Sequence, residues 1–438
     1  MISGGHLAQL NATELIAARA RRRVMHRIMP FLLVAYLCAY IDRANLGIAK
    51  LEMQRDLAFT ESIIGLGAGI FFIGYFSLEI PGSLLVERWS ARKWFSRIMI
   101  CWGLVAVLSG FINNVGEFYV ARFMLGASEA GFFPGVVVYL SHWFRPEDRT
   151  RAKSWFMTMQ PLSVVVGVPL ARWILETVHW NSLHSWRWVF ILEGFPSIVL
   201  GVIALFYLTD RVHDARWLPD DEKNWLASEL AREAAERSAA DRVSVFAAFR
   251  QPQTIQLILV YFLIVTGNQA ILFFLPSIAV ERGNLSVVIQ TAIVTAPYLC
   301  SVVGIFLNGY LAARTGERRW HTAVPILLAG LSLGSAVLTT QHLGVMFAFL
   351  CLMGFSFQAY LPVFWTLPGL YLGRSASAVA IGVINSFGNL GGFVGPYAFG
   401  YMRTATGTYR SGLLVLTGCL LASGLLAATI RIENQKSS

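Results

Sequence analysis

Long apolar runs alternate with short polar loops along almost the whole chain of 438 residues. A helix needs about 20 mostly apolar residues to cross the hydrocarbon core of a bilayer. Twelve runs meet this requirement and predict an all-α membrane protein with twelve transmembrane helices. The runs lie at 28–49, 62–86, 94–113, 117–142, 153–177, 187–208, 253–280, 288–312, 321–340, 344–371, 376–402 and 411–430.

The longest polar stretch follows the sixth run, so it divides the predicted helices into two groups of six. Parallel six-helix halves are the architecture of one large class of membrane transporters. The predicted units are a basic cytoplasmic arm at 1–27, an N-terminal half at 28–208, a cytoplasmic linker at 209–252, a C-terminal half at 253–430 and a cytoplasmic tail at 431–438.

A sequence repeat supports this division, because it occurs in the turn after the second helix of each half. At an offset of 226 residues, the two copies match in residue type at five positions. The matched pairs are Leu85/Leu311, Arg88/Arg314, Arg92/Arg318, Lys93/Arg319 and Trp94/Trp320. Internal repeats of this kind indicate a fold built from two similar units.

The composition favours burial in lipid. Hydrophobic residues make up 56% of the chain and charged residues 14%, whereas about 25% of the residues in a soluble domain are charged. The net charge of +10 comes mainly from short loops, where basic residues set the topology and do not indicate nucleic-acid binding. We therefore expect a lipid bilayer as partner, and no nucleic acid.

Lys and Arg are unevenly distributed between the two sides of the predicted bundle. If the N-terminus is cytoplasmic, the cytoplasmic segments hold 26 of the 35 basic residues and the opposite side holds five. Cytoplasmic loops carry the excess of basic residues in multi-pass proteins. We expect both termini in the cytoplasm, and a location in the cell membrane, which is the inner membrane in a bacterium.

The sequence contains no Walker loop, no nucleophile elbow and no zinc-protease motif. The five cysteines lie far apart within apolar runs, a pattern that indicates neither a disulfide framework nor a zinc site. We expect no enzymatic activity, no metal and no cofactor.

Ionisable residues in the predicted helices fall in the first half. Each costs about 2.5–3.5 kcal/mol on insertion scales, so each is a candidate functional residue. The set comprises Asp42, Arg43, Glu79, Arg122, Glu129, Arg172 and Glu193. Arg172 and Glu193, together with Arg187, lie nearer the far face of the membrane, and we assign these three to structure.

Asp42 and Arg43 are neighbours in the first helix, so their side chains point about 100° apart. One of them can face a ligand while the other faces a different helix. An Arg with a free guanidinium at membrane depth suits a carboxylate, because its planar fork makes paired charge-assisted bonds. The alternative is a structural ion pair at the outer end of the helix.

Arg122 and Glu129 lie on one face of the fourth helix, because seven residues are nearly two turns. Burial of Glu129 among apolar and small residues disfavours its charged form, which is the property of a proton carrier. An Arg122 that approaches and withdraws would switch this carboxyl between its two states. A permanent structural pair is the alternative.

Glu79 and Glu87 flank the cytoplasmic end of the second helix, near Arg88, Arg92 and the basic cluster at 145–151. Ion pairs among these residues would hold the cytoplasmic side shut and break on opening. The alternative is that they are solvated loop charges.

The second half contributes uncharged polar groups to the predicted helices. Trp365 and Asn385 are candidates for contacts with an organic acid, and Gln160 extends this polar set in the first half. Asn389 lies among glycines, which favours a role in close helix packing.

Three motifs and one further run resemble the anion:cation symporter family of the major facilitator superfamily, over residues 25–430. They are Tyr40-x-Asp-Arg-x-Asn-x-Gly47, the run from Gly65 to Arg97, Arg122-x6-Glu129-Ala-Gly-Phe-Phe-Pro134, and Asn385-Ser-x-Gly-Asn-Leu-Gly-Gly-Phe-x-Gly-Pro396. Relatives in that family carry galactonate, hexuronates, tartrate, phthalates, 4-hydroxyphenylacetate and nicotinate. The resemblance implies a proton symporter that imports a mono- or dicarboxylate, an aromatic acid or a sugar acid by alternating access.

The resemblance also implies roles for individual residues. Asp42 and Glu129 match the two protonation sites of the family, Arg43 its arginine for the substrate carboxylate, and Arg122 the partner of Glu129. The positions that match its substrate-site lining are Tyr40, Tyr75, Gln160, Trp365 and Asn385. Pro362 replaces a hydroxyl residue of the galactonate carriers, which favours an aromatic or short acid.

Two other functions fit parts of the pattern. A membrane sensor without net flux needs no proton relay, yet two buried carboxyls are present. A proton-driven exporter of cations needs an acidic site, whereas this site contains arginine. We expect the protein to act as a monomer on protons and a small organic acid.

Overall fold

A computed structural model describes the backbone of residues 4–88, 90–180, 182–238, 251–281, 285–371 and 374–430. Within these ranges it does not describe the side chains of residues 4–12, 80, 82–88, 146–147, 150, 234–238, 281, 371 and 374–379. The described regular structure is helical apart from turns and bends, as the sequence predicts.

The first half contains seven helices. They are α1 (Gly4–Leu57), α2 (Glu61–Arg88), α3 (Ala91–Ser109), α4 (Val115–Glu129), α5 (Phe132–Ser141), α6 (Pro146–Thr177) and α7 (Ser185–Tyr207). The first predicted span, 28–49, is only part of α1, which continues through most of the predicted basic arm. Arg side chains of the arm lie on the polar end of this helix, so the apolar run alone underestimates its length.

The linker forms a short 3₁₀ turn (Val212–Asp214) and helix α8 (Asp220–Ser238). Its acidic residues bind the basic end of α1, where Arg19 lies 3.0 Å from Asp221 and Arg23 lies 3.0 Å from Glu222. The linker is therefore partly helical and lies against the first half.

The described residues of the second half form nine helices. They are α9 (Pro252–Glu281), α10 (Val287–Thr315), α11 (Arg319–Leu338), α12 (Leu343–Phe357), α13 (Leu361–Phe364), α14 (Pro368–Tyr371), α15 (Arg374–Asn389), α16 (Gly391–Thr406) and α17 (Tyr409–Ala428).

Ten stretches of the described chain are long and apolar enough to cross a membrane. The other two predicted spans are also helical: α3 begins with basic residues, and the run at 376–402 is divided between α15 and α16. The runs at 117–142 and 344–371 are divided as well. In the first of these, the break contains Gly131 at φ 86°, a left-handed conformation that glycine adopts without strain.

The same helix pairing recurs in the two halves. In the first half α1 packs against α6, α2 against α4, and α3 against α7. In the second half the equivalent pairs are α9 with α16, α10 with α12, and α11 with α17. The halves meet mainly where α2 contacts α16 and where α6 contacts α10. The sequence repeat in the turns thus has a counterpart in the packing of the helices.

Glycines allow α2 and α16 to approach closely at the end of the bundle remote from both termini. A Cβ atom at Gly65 would lie 2.4 Å from the carbonyl oxygen of Pro396, and one at Gly400 would lie 2.3 Å from that of Glu61. Such contacts require the absence of a side chain. The two halves are consequently closed against each other at this end.

Candidate functional site

A cavity of ≈ 60 Å³ lies between the two halves. Its lining includes all six residues that the sequence indicates for substrate binding: Arg43, Tyr40, Tyr75, Gln160, Trp365 and Asn385. A second cavity of ≈ 40 Å³ shares Tyr40, Arg43 and Gln160 with it and extends to Gln358. These residues come from four helices and two helix breaks, yet they face one another.

Interrupted helices border the cavities. Glu129 is the last residue of α4 and Asn389 the last of α15, while Gln358 and Tyr360 lie in the break between α12 and α13. Interrupted helices free backbone groups and side chains at membrane depth, where transporters bind ligands. The breaks therefore place polar groups in the centre of an otherwise apolar bundle.

Arg43 and Glu129 form a two-pronged ion pair at the cavity. Arg43 Nη2 lies 2.7 Å from Glu129 Oε1, and Arg43 Nε donates to Glu129 Oε2 at 3.2 Å. The residues are only 8% and 3% exposed. The rings of Tyr40, Phe71 and Tyr75 lie 4.7–5.2 Å from the Arg43 guanidinium carbon. The expectation of a free Arg43 fork is wrong for this conformation, because a carboxylate from α4 already occupies it.

Arg122 does not pair with Glu129. Its Nε donates to the carbonyl oxygen of Gly67 at 3.4 Å, and its two terminal nitrogens make no hydrogen bond with the described residues. The sequence placed both side chains on one face of α4 but could not show that Arg43 of α1 lies nearer. The assignment of Arg122 as the partner of Glu129 is thus contradicted in this conformation.

Asp42 points away from the cavity, as expected for the neighbour of Arg43 on a helix. Its Oδ2 accepts a hydrogen bond of 3.1 Å from the Ser197 hydroxyl on α7. Asp42 and Glu129 therefore lie in different surroundings, one between α1 and α7 and the other at the cavity.

Glu79 is buried at the interface between the halves and forms no ion pair with the described residues. The Asn385 amide of α15 donates a hydrogen bond to its Oε1. Arg92 lies 3.3 Å from Asp210, which belongs to the linker. The side chains of Glu87 and Arg88 lie outside the described part of the chain. In this conformation, which is closed at the remote end, Glu79 and Arg92 have other partners among the described residues, and the gate stays a prediction.

The basic cluster at 145–151 likewise binds the linker. Arg149 lies 3.0 Å from Glu233 and donates to the carbonyl oxygen of Phe144. Arg187 binds the carbonyl oxygens of Gly110 and Ile112 at 3.1 and 2.9 Å, which agrees with its structural assignment.

Three lining residues were missed or misassigned from the sequence. Tyr36 and Tyr261 line the main cavity, and Tyr261 contacts the Trp365 ring at 5.1 Å between centroids. Asn389 lines both cavities, although its glycine neighbours had suggested packing alone. A tyrosine in an apolar run resembles one at a membrane interface, so the sequence carries no signal that selects these residues.

Lys50, one residue beyond the first predicted span, is a further buried charge. Its side chain is 0% exposed, with Nζ 3.1 Å from Glu61 Oε2 and 3.8 Å from the centre of the Phe274 ring. The Tyr409 hydroxyl donates to Glu61 Oε1 at 2.7 Å. Lys50 and Glu61 belong to the first half, and Phe274 and Tyr409 to the second. This network joins the halves at the end remote from the termini.

The pairing of the helices and the central cavity between two similar halves agree with a family match. The sequence matches the Major Facilitator Superfamily over residues 32–396, and again over residues 257–437. The chain belongs to the major facilitator superfamily. It is accordingly a multi-pass membrane transporter with a small-molecule substrate.

Named relatives support this major facilitator assignment along the full chain. A protein of Agrobacterium vitis that carries the name tartrate transporter is 39% identical over 97% of this chain and 94% of its own. A quinolone resistance transporter of Acinetobacter baumannii is 32% identical over 95% and 96% of the two chains. The fold is similar to that of the xylose transporter XylE from E. coli, with a TM-score of 0.73, 14% identity, and coverage of 94% and 99%.

Proposed function

We propose that this major facilitator imports a small organic anion together with protons. The observation that carries the proposal is the Arg43–Glu129 pair, which lies at a cavity between the halves and is buried with its carboxylate at 2.7 Å. A guanidinium held by an internal carboxylate can exchange that partner for the carboxylate of a substrate.

Protonation of Glu129 is the step that permits this exchange. A proton on Oε1 or Oε2 removes the negative charge that Arg43 binds, and the guanidinium becomes free for an incoming carboxylate. Loss of the proton restores the internal pair and expels the anion. Substrate and proton therefore bind together, which is the requirement for symport. Arg122 supplies a second positive charge near the carboxyl and opposes its protonation.

The closed end of the bundle supports a mechanism of alternating access. We place both termini in the cytoplasm of a bacterium, so that the Lys50–Glu61–Tyr409 network closes the periplasmic side of the inner membrane. Opening requires the two halves, at 28–208 and 253–430, to separate at α2 and α16. We propose that one such monomer is the transporting unit, with no cofactor.

The lining of the cavity favours a short or aromatic carboxylic acid. Aromatic rings from Tyr40, Tyr261 and Trp365 supply flat apolar walls, and amides from Gln160 and Asn385 supply hydrogen bonds. The similarity to a protein named for tartrate transport makes tartrate the first substrate to test.

The test is uptake of radiolabelled tartrate, and of a panel of aromatic and hydroxy acids, into proteoliposomes. We expect accumulation of at least one acid when the lumen is more alkaline than the medium, and its collapse on addition of a protonophore. Counterflow without a gradient measures exchange alone. Uptake that does not respond to the proton gradient would contradict symport, and binding without flux would favour a sensor.

Export is a second candidate, favoured by the similarity to a quinolone resistance transporter. It uses the same site with the opposite direction of net flux. Vesicles loaded with a quinolone and given an inward proton gradient distinguish the two, because an exporter that exchanges protons for drug empties them faster than a symporter does.

A further inference from the structure

A buried polar cluster lies between α1 and α7, on the side of α1 that faces away from the cavity. Its members are Asp42, Asn45, Glu193 and Ser197, which are 2%, 2%, 3% and 0% exposed. Asp42 and Asn45 are three residues apart on α1, and Glu193 and Ser197 are four apart on α7, so each pair shares a helix face. The hydrogen bond of 3.1 Å from Ser197 to Asp42 shows that these faces meet.

Most polar atoms of this cluster have no hydrogen-bond partner among the described residues. The atoms are Asp42 Oδ1, Asn45 Nδ2, Asn45 Oδ1, Glu193 Oε1 and Glu193 Oε2. A buried polar group without a partner is destabilising, and more so when it is charged. Asp42 and Asn45 are the polar neighbours of the Glu193 carboxyl. A proton bound to one of the two carboxyls would supply a donor for the acceptor oxygens around it.

Among the described residues, no basic side chain forms an ion pair with either of the two carboxyls. Asp42 has Trp102 of α3 and the Glu129 carboxylate of α4 as its further polar neighbours, and Glu129 is bound to Arg43. Cys38, one turn before Asp42 on α1, is the other titratable neighbour. Two adjacent carboxylates without a base in hydrocarbon cannot both stay ionised.

We propose that Asp42 and Glu193 act as one proton-binding dyad, and that Glu193 is a coupling residue of the transport cycle. The inference rests on the proposed proton symport. A proton from water bonds to one carboxylate oxygen, and the resulting O–H donates to the other carboxylate or to Asn45 Oδ1. On release the proton returns to water, and the dyad gains one negative charge. The sequence had assigned Glu193 to structure.

The Asp42–Glu193 dyad can influence the substrate site because helix α1 carries Asp42 of the dyad and Arg43 of the site. Asp42 is adjacent to Arg43, so any movement of α1 against α7 that follows protonation also moves the guanidinium at the cavity. The dyad thus links the charge state of the α1–α7 contact to the exchange between Glu129 and substrate.

Infrared spectroscopy of the purified protein in lipid tests proton occupancy without transport. We expect the carboxylic-acid C=O band of the wild type to lose intensity or shift in both Asp42→Asn and Glu193→Gln. Glu176→Gln is the matched control, because Glu176 is an exposed carboxyl on α6, and it should leave the band unchanged. An unchanged band in Glu193→Gln would overturn the dyad.

Accumulation tests the coupling role. With an imposed gradient of about one pH unit, each coupled proton multiplies steady-state accumulation about ten-fold. We expect a loss of about ten-fold in Asp42→Asn, in Glu193→Gln and in the double variant alike, since the two residues share one proton. Glu193→Asp should recover part of the loss. Counterflow and thermal unfolding check that each variant is folded.

The remaining outcomes are also decisive. Additive losses in the double variant would mean two independent sites and overturn the shared proton. A changed infrared band with wild-type accumulation would mean that the dyad holds a proton that is not transported, which overturns the coupling role. If the wild type itself shows no gradient-driven accumulation, the proposed symport fails, and the infrared arm still decides whether the dyad holds a proton.

Discussion

Tyr409→Phe is the sharpest test of how the bundle closes. The substitution removes only the hydroxyl that donates to Glu61 across the halves at 2.7 Å. Lys50 still binds the other oxygen of Glu61 at 3.1 Å, so no buried charge loses its only partner. The ring of Tyr409 continues to stack on Phe399, with centroids 5.9 Å apart. The variant therefore removes one hydrogen bond between the halves, since the other partner of the hydroxyl, Arg403, belongs to the same half as Tyr409.

The expected shift follows from the strength of that bond. A hydrogen bond to a charged group contributes about 1.5–3 kcal/mol to stability. In the open state Glu61 is bound by water, so the closed state alone loses this contribution. Since about 1.4 kcal/mol is a factor of ten, the ratio of open to closed molecules should rise roughly 10- to 150-fold.

Spin labels at positions 60 and 408 report the change. Both residues are exposed, and they lie at the remote end on opposite halves. The native cysteines are first replaced by serine or alanine. Double electron–electron resonance should then show a single short distance in the wild type and a longer component in Tyr409→Phe.

Tyr401→Phe is the matched control, because Tyr401 is exposed on α16. It should give the wild-type distance distribution. If Tyr409→Phe also gives that distribution, and remains folded, the hydrogen bond does not stabilise the closed end and the reasoning is refuted.

Three further predictions concern single residues. Arg43→Lys keeps the charge but loses the planar fork, so substrate affinity measured by calorimetry should fall at least about ten-fold; equal affinity would contradict the role of Arg43. Glu129→Gln should bind substrate and perform counterflow but lose gradient-driven accumulation in proteoliposomes, and accumulation at the wild-type level would exclude Glu129 as proton carrier. Burial and the nearby Arg211 and Arg149 lower the pKa of His142 from 6.5 to about 4. Between pH 6.5 and 4 the unfolded chain therefore binds a proton at His142 that the folded protein does not bind. As the pH is lowered through this range, the thermal stability of the wild type should fall more steeply than that of His142→Gln.

Much of the architecture is determined by the sequence alone. The apolar runs predict the membrane spans, because transfer into lipid depends on the local composition of about 20 residues. The repeat around Arg88 and Arg314 predicts two similar halves, and the helix pairing agrees. The sequence also indicates residues of the cavity. Arg43 and Glu129 are ionisable and lie in apolar runs, where a charge is costly, so they stand out as candidates for function.

The partners of these residues were decided only by the tertiary structure. Arg43 binds Glu129 where the sequence suggested Arg122 for that carboxyl, and Glu79 meets Asn385 across the two halves. Helical periodicity fixes the face on which a side chain lies, but it does not tell which helix stands opposite. Lys50 lies at the end of an apolar run and would be an ordinary loop residue if Glu61 and Phe274 were not beside it. Pairing between distant segments depends on how helices pack and where they are interrupted, and no local window of sequence contains that information.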